Sequence, residues 1–105
     1  MAGPAPAHYR YRQADHLDVA AMAALRAAEW GTEAYWLERI GAYLRHEHHP
    51  AQALWARAAF VAEAGEQVVG FAAGHLTRRF DCGGELQWLN VAAPCRRQGV
   101  GSGLL

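Results

Sequence analysis

The segment that most constrains the fold covers residues 89–105, where an apolar stretch runs into a basic, glycine-rich turn. Pro94 cannot donate a hydrogen bond to a neighbouring strand, so it predicts the end of a strand. Gly99, Gly101 and Gly103 then remove side chains from a turn that leads into a helix. Unpaired N–H groups and the helix dipole both attract negative charge at such a helix start. The segment therefore predicts a strand, a turn and a helix N-terminus that together bind an anion.

The hydrophobic pattern upstream predicts a mixed α+β domain with the order β-α-α-β-β-β-α. Tyr and Arg alternate near the start, which is typical of a half-buried strand, and Asp15 and Thr32 are suitable helix N-caps. A tight turn at Gly65 predicts a hairpin between two apolar runs. The predicted elements are a strand over 8–14, helices to about Trp30 and over 33–48, a connector over 51–57, strands over 58–64, 67–77 and 85–92, and a final helix.

Helical spacing predicts which side of each long helix packs into the core. In the first helix the predicted face consists of Leu17, Ala21, Ala24, Leu25 and Ala28. In the second helix it consists of Trp36, Leu37, Ile40 and Leu44.

Composition predicts one globular domain and excludes several classes of protein. The chain has 105 residues, of which 52% are hydrophobic and 19% charged, so it can form one core. We expect residues 1–7 to form a disordered tail and residues 8–105 to form the domain. A formal net charge of +0 argues against nucleic-acid binding through broad electrostatic attraction.

The sequence also predicts the compartment. No apolar run is long enough to span a bilayer, and the first residues do not resemble a signal peptide. Cys82 and Cys95 are too few for a disulfide framework. We therefore expect a reduced, cytoplasmic protein without a membrane partner.

The glycine-rich segment is similar to a known coenzyme-binding motif. The spacing of Val91, Pro94, Arg96, Gly99 and Gly101 resembles the acetyl-CoA signature of the GCN5-related N-acetyltransferase (GNAT) superfamily. In that family the loop amides surround the pyrophosphate, and the preceding strand binds the pantetheine arm. The resemblance implies coenzyme contacts from the strand residues Leu89, Asn90 and Val91, the loop residues Arg96, Arg97, Gln98, Gly99, Val100 and Gly101, and Ser102 in the following turn.

Two other phosphate-binding motifs fit the glycines less well, and a third interpretation needs no ligand. A Walker A loop requires a lysine, and all ten basic residues of this chain are arginine. A dinucleotide-binding fingerprint should open a βαβ unit with an acidic residue farther along, which these residues do not contain. The remaining alternative is a flexible basic turn.

The resemblance implies a GNAT-like fold, a largely antiparallel sheet with helices packed on it, truncated at the C-terminus. Relatives continue through further strands and another helix, which commonly carries a tyrosine that protonates the leaving thiolate. The sequence leaves three alternatives open: it is a fragment, a second chain supplies the remainder, or the protein no longer catalyses.

The implied activity is transfer of an acetyl group from acetyl-CoA to a small-molecule or peptide amine. Glu85 is the candidate general base, because many relatives carry a glutamate six residues before the valine that matches Val91. Unless a bulge intervenes, strand alternation places Glu85, Gln87, Leu89 and Val91 on one face. A backbone N–H near Asn90 or Val91 is the candidate oxyanion donor.

Plainer interpretations of these residues stay open. Glu85 is alternatively a solvated residue at the start of a strand. His75 is either a second candidate base or a histidine packed on the neighbouring strand.

Two further hypotheses concern metals and partners. His46 and His49 are spaced like a pair of metal ligands on a helix, but no third ligand is evident, so we expect no metal. The alternative function is a catalytically inactive module that pairs through an exposed sheet edge, with a homodimer as one such assembly.

Overall fold

The computed structural model describes residues 8–47, 53–77 and 83–105, with the backbone alone for residues 53–56. The strands form one antiparallel sheet in the order β1-β2-β3-β4, which confirms the predicted α+β fold class and order of elements. The predicted tail over 1–7 lies outside the described residues. The elements are β1 (Tyr9–Gln13), α1 (Val19–Ala27), α2 (Glu33–Leu44), β2 (Ala53–Ala64), β3 (Gln67–Thr77), β4 (Gly84–Val91) and α3 (Val100–Leu104).

The predicted cap at Asp15 is confirmed and begins a short 3₁₀ turn over His16–Asp18 before α1. The Asp15 carboxylate accepts from the Leu17 N–H, and the Asp18 carboxylate accepts from the Asp15 N–H, each at 2.8 Å. Arg12 donates two further hydrogen bonds to Asp18 and one to Glu63, all at 2.8 Å. This network ties β1 to the 3₁₀ turn and to β2, and Arg12 holds the pKa of Asp18 below its usual value.

Helices cover both faces of the sheet, so the domain has three layers. On one face α1 and α2 bury an aromatic-rich core that includes Met22, Trp36, Ile40, Tyr43, Val61, Phe71 and Trp88. On the opposite face α3 buries Val100 and Leu104 against Ala62, Val69 and Ala72.

The predicted packing face of α1 is wrong except at Leu25, which packs against the core, and that of α2 is partly right. Leu17 is 77% exposed, whereas Met22 and Ala23 are buried. Alanine occurs on every side of α1, so hydrophobicity alone distinguishes its faces weakly, and contact with α2 decides which side is buried. In α2, Trp36 and Ile40 are buried as predicted, but Leu37 is exposed.

Two predicted boundaries change because of neighbouring elements. The helix α2 ends at Leu44, and His46 adopts a left-handed backbone conformation with φ of 62°, which stops a helix there. His48 lies outside the described residues. Residues 53–57 of the predicted connector belong to β2, because the far end of β3 provides a pairing partner, with Ala53 opposite Thr77.

A β-bulge in β4 changes which side chains share a face. Ala73 lies opposite Trp88 and Gly74 lies opposite Leu86, so Gln87 is an extra residue in β4. Side chains alternate in phase again only beyond the bulge. Glu85, opposite His75, consequently shares the α1–α2 face with Trp88, and the prediction that it shares a face with Leu89 and Val91 is wrong.

Candidate functional site

The strand β4 ends at Val91, shortly before Pro94, as the position of Pro94 predicts. The Ala92 N–H donates to the Val69 carbonyl at 2.7 Å, and a 3₁₀ turn over Ala93–Cys95 follows. The N–H groups of Cys95 and Arg96 close this turn by donating to the carbonyls of Ala92 and Ala93. The chain thus turns sharply within a few residues of the end of β4.

The next residues form a turn that leads into α3, and we call residues 96–102 the cradle loop. Arg97 and Gly99 have left-handed backbone conformations, with φ of 66° and 80°. Among the described residues, the N–H groups of residues 97–102 donate to no backbone carbonyl, as expected for the start of a helix. A Cβ added to Gly99 or Gly101 would meet nothing within 4 Å. The cradle loop therefore presents unpaired amides beside open space.

The two arginines of the cradle loop differ in their contacts. Arg96 Nε donates to the Val91 carbonyl at 3.1 Å, and its Nη2 lies 2.5 Å from Glu29 Oε1 near the end of α1. Within the described parts of the chain, the exposed Arg97 side chain makes no hydrogen bond or ion pair. Arg97 therefore presents the uncommitted positive charge beside the loop.

The side chains of Val100 and Gln98 in the cradle loop are engaged within the fold, whereas that of Ser102 is exposed. Val100 is buried against the sheet. Gln98 Nε2 donates to the Pro94 carbonyl at 3.2 Å, and Gln98 Oε1 accepts from the Tyr9 hydroxyl. Ser102 stays exposed on the first turn of α3.

A glycine in β3 lets α3 approach the sheet closely. A Cβ on Gly70 would lie 3.1 Å from Val100 Cγ1 and 3.3 Å from Leu104 Cδ1. Such contacts are tighter than ordinary van der Waals packing, so a larger residue would push the helix outward. Gly70 thereby positions the cradle loop against the end of β4.

The hydrogen-bond pattern of β4 separates the candidate oxyanion donors. The Ala92 N–H points toward β3, where it donates to Val69. Because amides alternate in direction along an antiparallel strand, the Asn90 N–H also points toward β3, whereas the N–H groups of Leu89 and Val91 point toward the other edge. The Asn90 side chain is engaged as well, accepting from Arg26 at 3.0 Å.

Comparison with known proteins identifies the family of the chain. A family model described as the acetyltransferase (GNAT) family matches residues 16–105. The chain belongs to the GNAT acetyltransferase family. Comparison with curated proteins found no significant match.

Solved structures share the GNAT fold at low sequence identity. A transcriptional regulator from Bacillus halodurans superposes with a TM-score of 0.65 at 20% identity, covering 92% of this chain and 69% of that one. An acetyltransferase from Trypanosoma brucei superposes with a TM-score of 0.61 at 20% sequence identity, again covering 92% of this chain and 69% of that one. A ribosomal-protein-alanine N-acetyltransferase from Brucella melitensis superposes with a TM-score of 0.61 at 17% sequence identity, covering 91% of this chain and 65% of that one. The chain thus spans about two thirds of the length of these structures, and the likeness supports the fold.

Glu85 of this GNAT chain lies near a buried tyrosine–histidine pair. Tyr43 Oη and His75 Nδ1 are 2.7 Å apart, and both side chains are buried. Burial raises the pKa of Tyr43 to about 12 and lowers the pKa of His75, so both groups are neutral near pH 7. Among the described residues, His75 Nε2 has no hydrogen-bond partner. The pair therefore forms a neutral wall beside the start of β4.

The structure places the cradle loop and Glu85 at opposite ends of β4. Six residues of extended strand separate Glu85 from Val91, which is about 20 Å at 3.4 Å per residue. A coenzyme whose diphosphate sits in the cradle loop must therefore run along β4 to bring its thioester toward Glu85.

Sequence reasoning missed the residues that support the cradle loop. Tyr9 and Glu29 contact it from positions 89 and 67 residues away in the sequence, measured to Gln98 and Arg96. No local pattern marks such distant pairs, because only the folded sheet brings them together.

Of the two candidate metal ligands His46 and His49, only His46 belongs to the described residues. His46 lies in the turn after α2, and His49 lies outside the described residues. In the described ranges, no three His, Cys, Asp or Glu side chains converge as metal ligands do. No helix in those ranges has the length and apolar character needed to cross a bilayer.

Proposed function

We propose that the protein transfers an acetyl group from acetyl-CoA to the amine of a small-molecule or peptide acceptor. The observation that carries this proposal is the cradle loop of a GNAT-family chain, whose amides over 97–102 donate to no backbone carbonyl among the described residues and where a Cβ on Gly99 or Gly101 would meet nothing within 4 Å. Amides at the start of a helix bind phosphate groups in many folds.

The coenzyme supplies an acetyl group activated as a thioester. In the proposal, the cradle amides hold its diphosphate and the Arg97 guanidinium adds positive charge beside them. The strand residues Leu89 and Val91 offer amides along the edge of β4 to the pantetheine arm.

The chemical step joins the amine nitrogen to the thioester carbonyl carbon. The nitrogen lone pair forms the C–N bond, the C–S bond breaks, and the sulfur leaves as the coenzyme thiolate. We assign the oxyanion donor to the Val91 N–H, because the Asn90 N–H points toward β3. Because Glu85 lies about 20 Å from Val91 along β4, the proton that the nitrogen loses reaches Glu85 through water molecules and not by direct contact.

Glu85 is a better candidate base than His75. His75 is buried, bonded to Tyr43, and has a lowered pKa that weakens it as a proton acceptor. Glu85 is half-buried at the start of β4, where an acceptor can approach.

Two variants separate coenzyme binding from chemistry. Gly101→Glu places a carboxylate in the cradle without a steric clash, since a Cβ there meets nothing within 4 Å. We expect its affinity for CoA to fall on the order of a hundredfold, because apposed like charges cost several kcal/mol. Glu85→Gln should bind CoA normally and lose about a hundredfold in kcat.

Calorimetric titration with CoA and a thiol-release assay with a panel of amines measure both variants. The cradle assignment is overturned if the wild-type protein does not bind CoA, or if Gly101→Glu binds it as tightly. Unchanged turnover in Glu85→Gln would remove Glu85 as the base and leave the coenzyme site intact.

A second candidate function is assembly through the edge of β4 as an inactive module. In the sheet of the described residues, β4 pairs with β3 alone, and Leu86 and Leu89 are exposed on it. Open apolar edges favour pairing with another chain. A dimer by light scattering that neither binds CoA nor releases thiol supports this function, and a monomer with turnover excludes it.

A further inference from the structure

The strand β1 contacts the cradle loop, although β1 lies outside the residues matched by the family model. The GNAT model covers residues 16–105, whereas β1 comprises Tyr9–Gln13. Tyr9 and Tyr11 pair with Ala64 and Ala62 of β2, and the buried Ala62 belongs to the cluster beneath α3. Both tyrosines therefore face the cradle loop and its helix.

Tyr9 makes a direct hydrogen bond to the loop. Its hydroxyl donates to Gln98 Oε1, while Gln98 Nε2 donates to the Pro94 carbonyl at 3.2 Å. The amide of one side chain thus bridges β1 and the turn that precedes the loop. Tyr9 also packs, partly buried, against the cluster beneath α3, as Val91 and Cys95 do.

Gln98 sits between the two cradle-loop residues whose backbone is left-handed. Arg97 has φ of 66° and Gly99 has φ of 80°. A left-handed conformation costs a residue other than glycine about 1 kcal/mol or more, and persists where neighbouring contacts enforce it. The bonds from Gln98 to Tyr9 and Pro94 are such contacts, because they fix the side chain of the residue next to Arg97.

The phenol stays a donor across the physiological range. Burial, with the Cys95 thiol as a second cause, raises the pKa of Tyr9 above its ordinary value. Gln98 Oε1 therefore meets a protonated hydroxyl.

Tyr11 restrains the helix that follows. A Cβ on Gly103 would collide with the end of the Tyr11 ring, so that ring lies directly against the α3 backbone. The strand β1 consequently contacts the loop on one side and its helix on the other.

We propose that Tyr9 is a positioning residue that pre-organises the cradle loop for the coenzyme diphosphate by holding Gln98. The inference rests on the proposed function for its ligand, but its structural part concerns the loop alone. Pre-organised amides lose less conformational freedom when a ligand binds. A more mobile loop should therefore bind the ligand with lower affinity.

The test compares Tyr9→Phe with wild type, using CoA and pantetheine as the two probes. Loss of one neutral hydrogen bond should weaken CoA binding about three- to tenfold. Pantetheine lacks the phosphates, so its binding, followed by NMR titration, should not change. Tyr35→Phe is the matched control, because it also removes an exposed phenol hydroxyl but lies on α2.

A double-mutant cycle with Gln98→Leu tests whether both residues act through the same bond. If they do, the double variant should bind CoA about as weakly as Gln98→Leu alone, which also loses the bond to Pro94. Fully additive losses, or an equal loss for pantetheine, would overturn the inference.

A measurement without ligand separates this inference from the proposed function. In Tyr9→Phe, the amides of residues 97–101 should show lower NMR order parameters, while the thermal midpoint changes little. Unchanged loop dynamics would overturn the positioning role even where CoA binds. Absence of CoA binding in wild type would overturn the proposed function instead.

Discussion

At the scale of single residues, the two adjacent arginines of the cradle loop have different roles. Arg96 is held by Glu29 and by the Val91 carbonyl, whereas the described residues offer no partner to Arg97. A spacing motif treats both simply as basic residues. Their contacts indicate that Arg96 anchors the loop to α1 and that the Arg97 side chain faces solvent.

This difference predicts distinct salt dependence. Arg97→Ala should lower the affinity for CoA about fivefold at low salt. This loss of affinity should become smaller at higher salt, because salt screens the charge. Arg96→Ala should keep the wild-type salt slope, because its guanidinium is already paired with Glu29. Fluorescence titration over a salt series measures this, with the exposed Arg10→Ala on β1 as the control. Equal salt slopes for wild type and Arg97→Ala would contradict the assignment.

At the scale of elements, the β4 bulge decides where Glu85 lies. The extra residue Gln87 turns Glu85 toward the Tyr43–His75 pair, and Gly74 on β3 permits the bulge. A Cβ at Gly74 would lie 2.8 Å from the Glu85 carbonyl oxygen, which is backbone and cannot rotate away. The position of the candidate base therefore depends on a glycine in the neighbouring strand.

We expect Gly74→Ala to lower the free energy of unfolding by about 1–3 kcal/mol, because β3 and β4 must separate to admit the methyl group. Gly83→Ala is the control, since a Cβ there meets nothing within 4 Å. Urea denaturation measures both variants. If the two alanine variants are equally stable, the close contact at the bulge is not limiting.

At the scale of the whole molecule, burial of a neutral histidine couples folding to pH. His75 faces Tyr43 from α2, Arg57 from β2 and Glu85 from β4, and its lowered pKa comes first from burial. In the unfolded chain His75 binds a proton with its ordinary pKa of 6.5, whereas in the folded chain the pKa of His75 is lower. The contribution to stability is therefore fully present above pH 6.5 and is lost as pH falls.

The thermal midpoint of the wild-type protein should consequently decline as the pH falls below about 6.5. His75→Gln cannot take up a proton, so its midpoint should decline less over this range, whatever its value at pH 8. His16→Gln provides a surface histidine as the control. Parallel curves for wild type and His75→Gln would show that another group governs the acid limb.

The sequence by itself determined the order of elements, the hairpin at Gly65, the cap at Asp15 and the place where Pro94 ends the last strand. These features depend on periodicity and on backbone restrictions, which act between residues close together in the chain. For the same reason the spacing of Arg96, Gly99 and Gly101 sufficed to indicate the family that the comparison confirmed.

Only the tertiary structure decided which face of α1 is buried, which face of β4 carries Glu85, and which residues hold the cradle loop. The alanines of α1 favour no face until α2 packs against them. The bulge depends on the register between two strands, and Tyr9 reaches Gln98 through the sheet. These outcomes come from contacts between distant segments, whose free energies are not encoded in any local pattern.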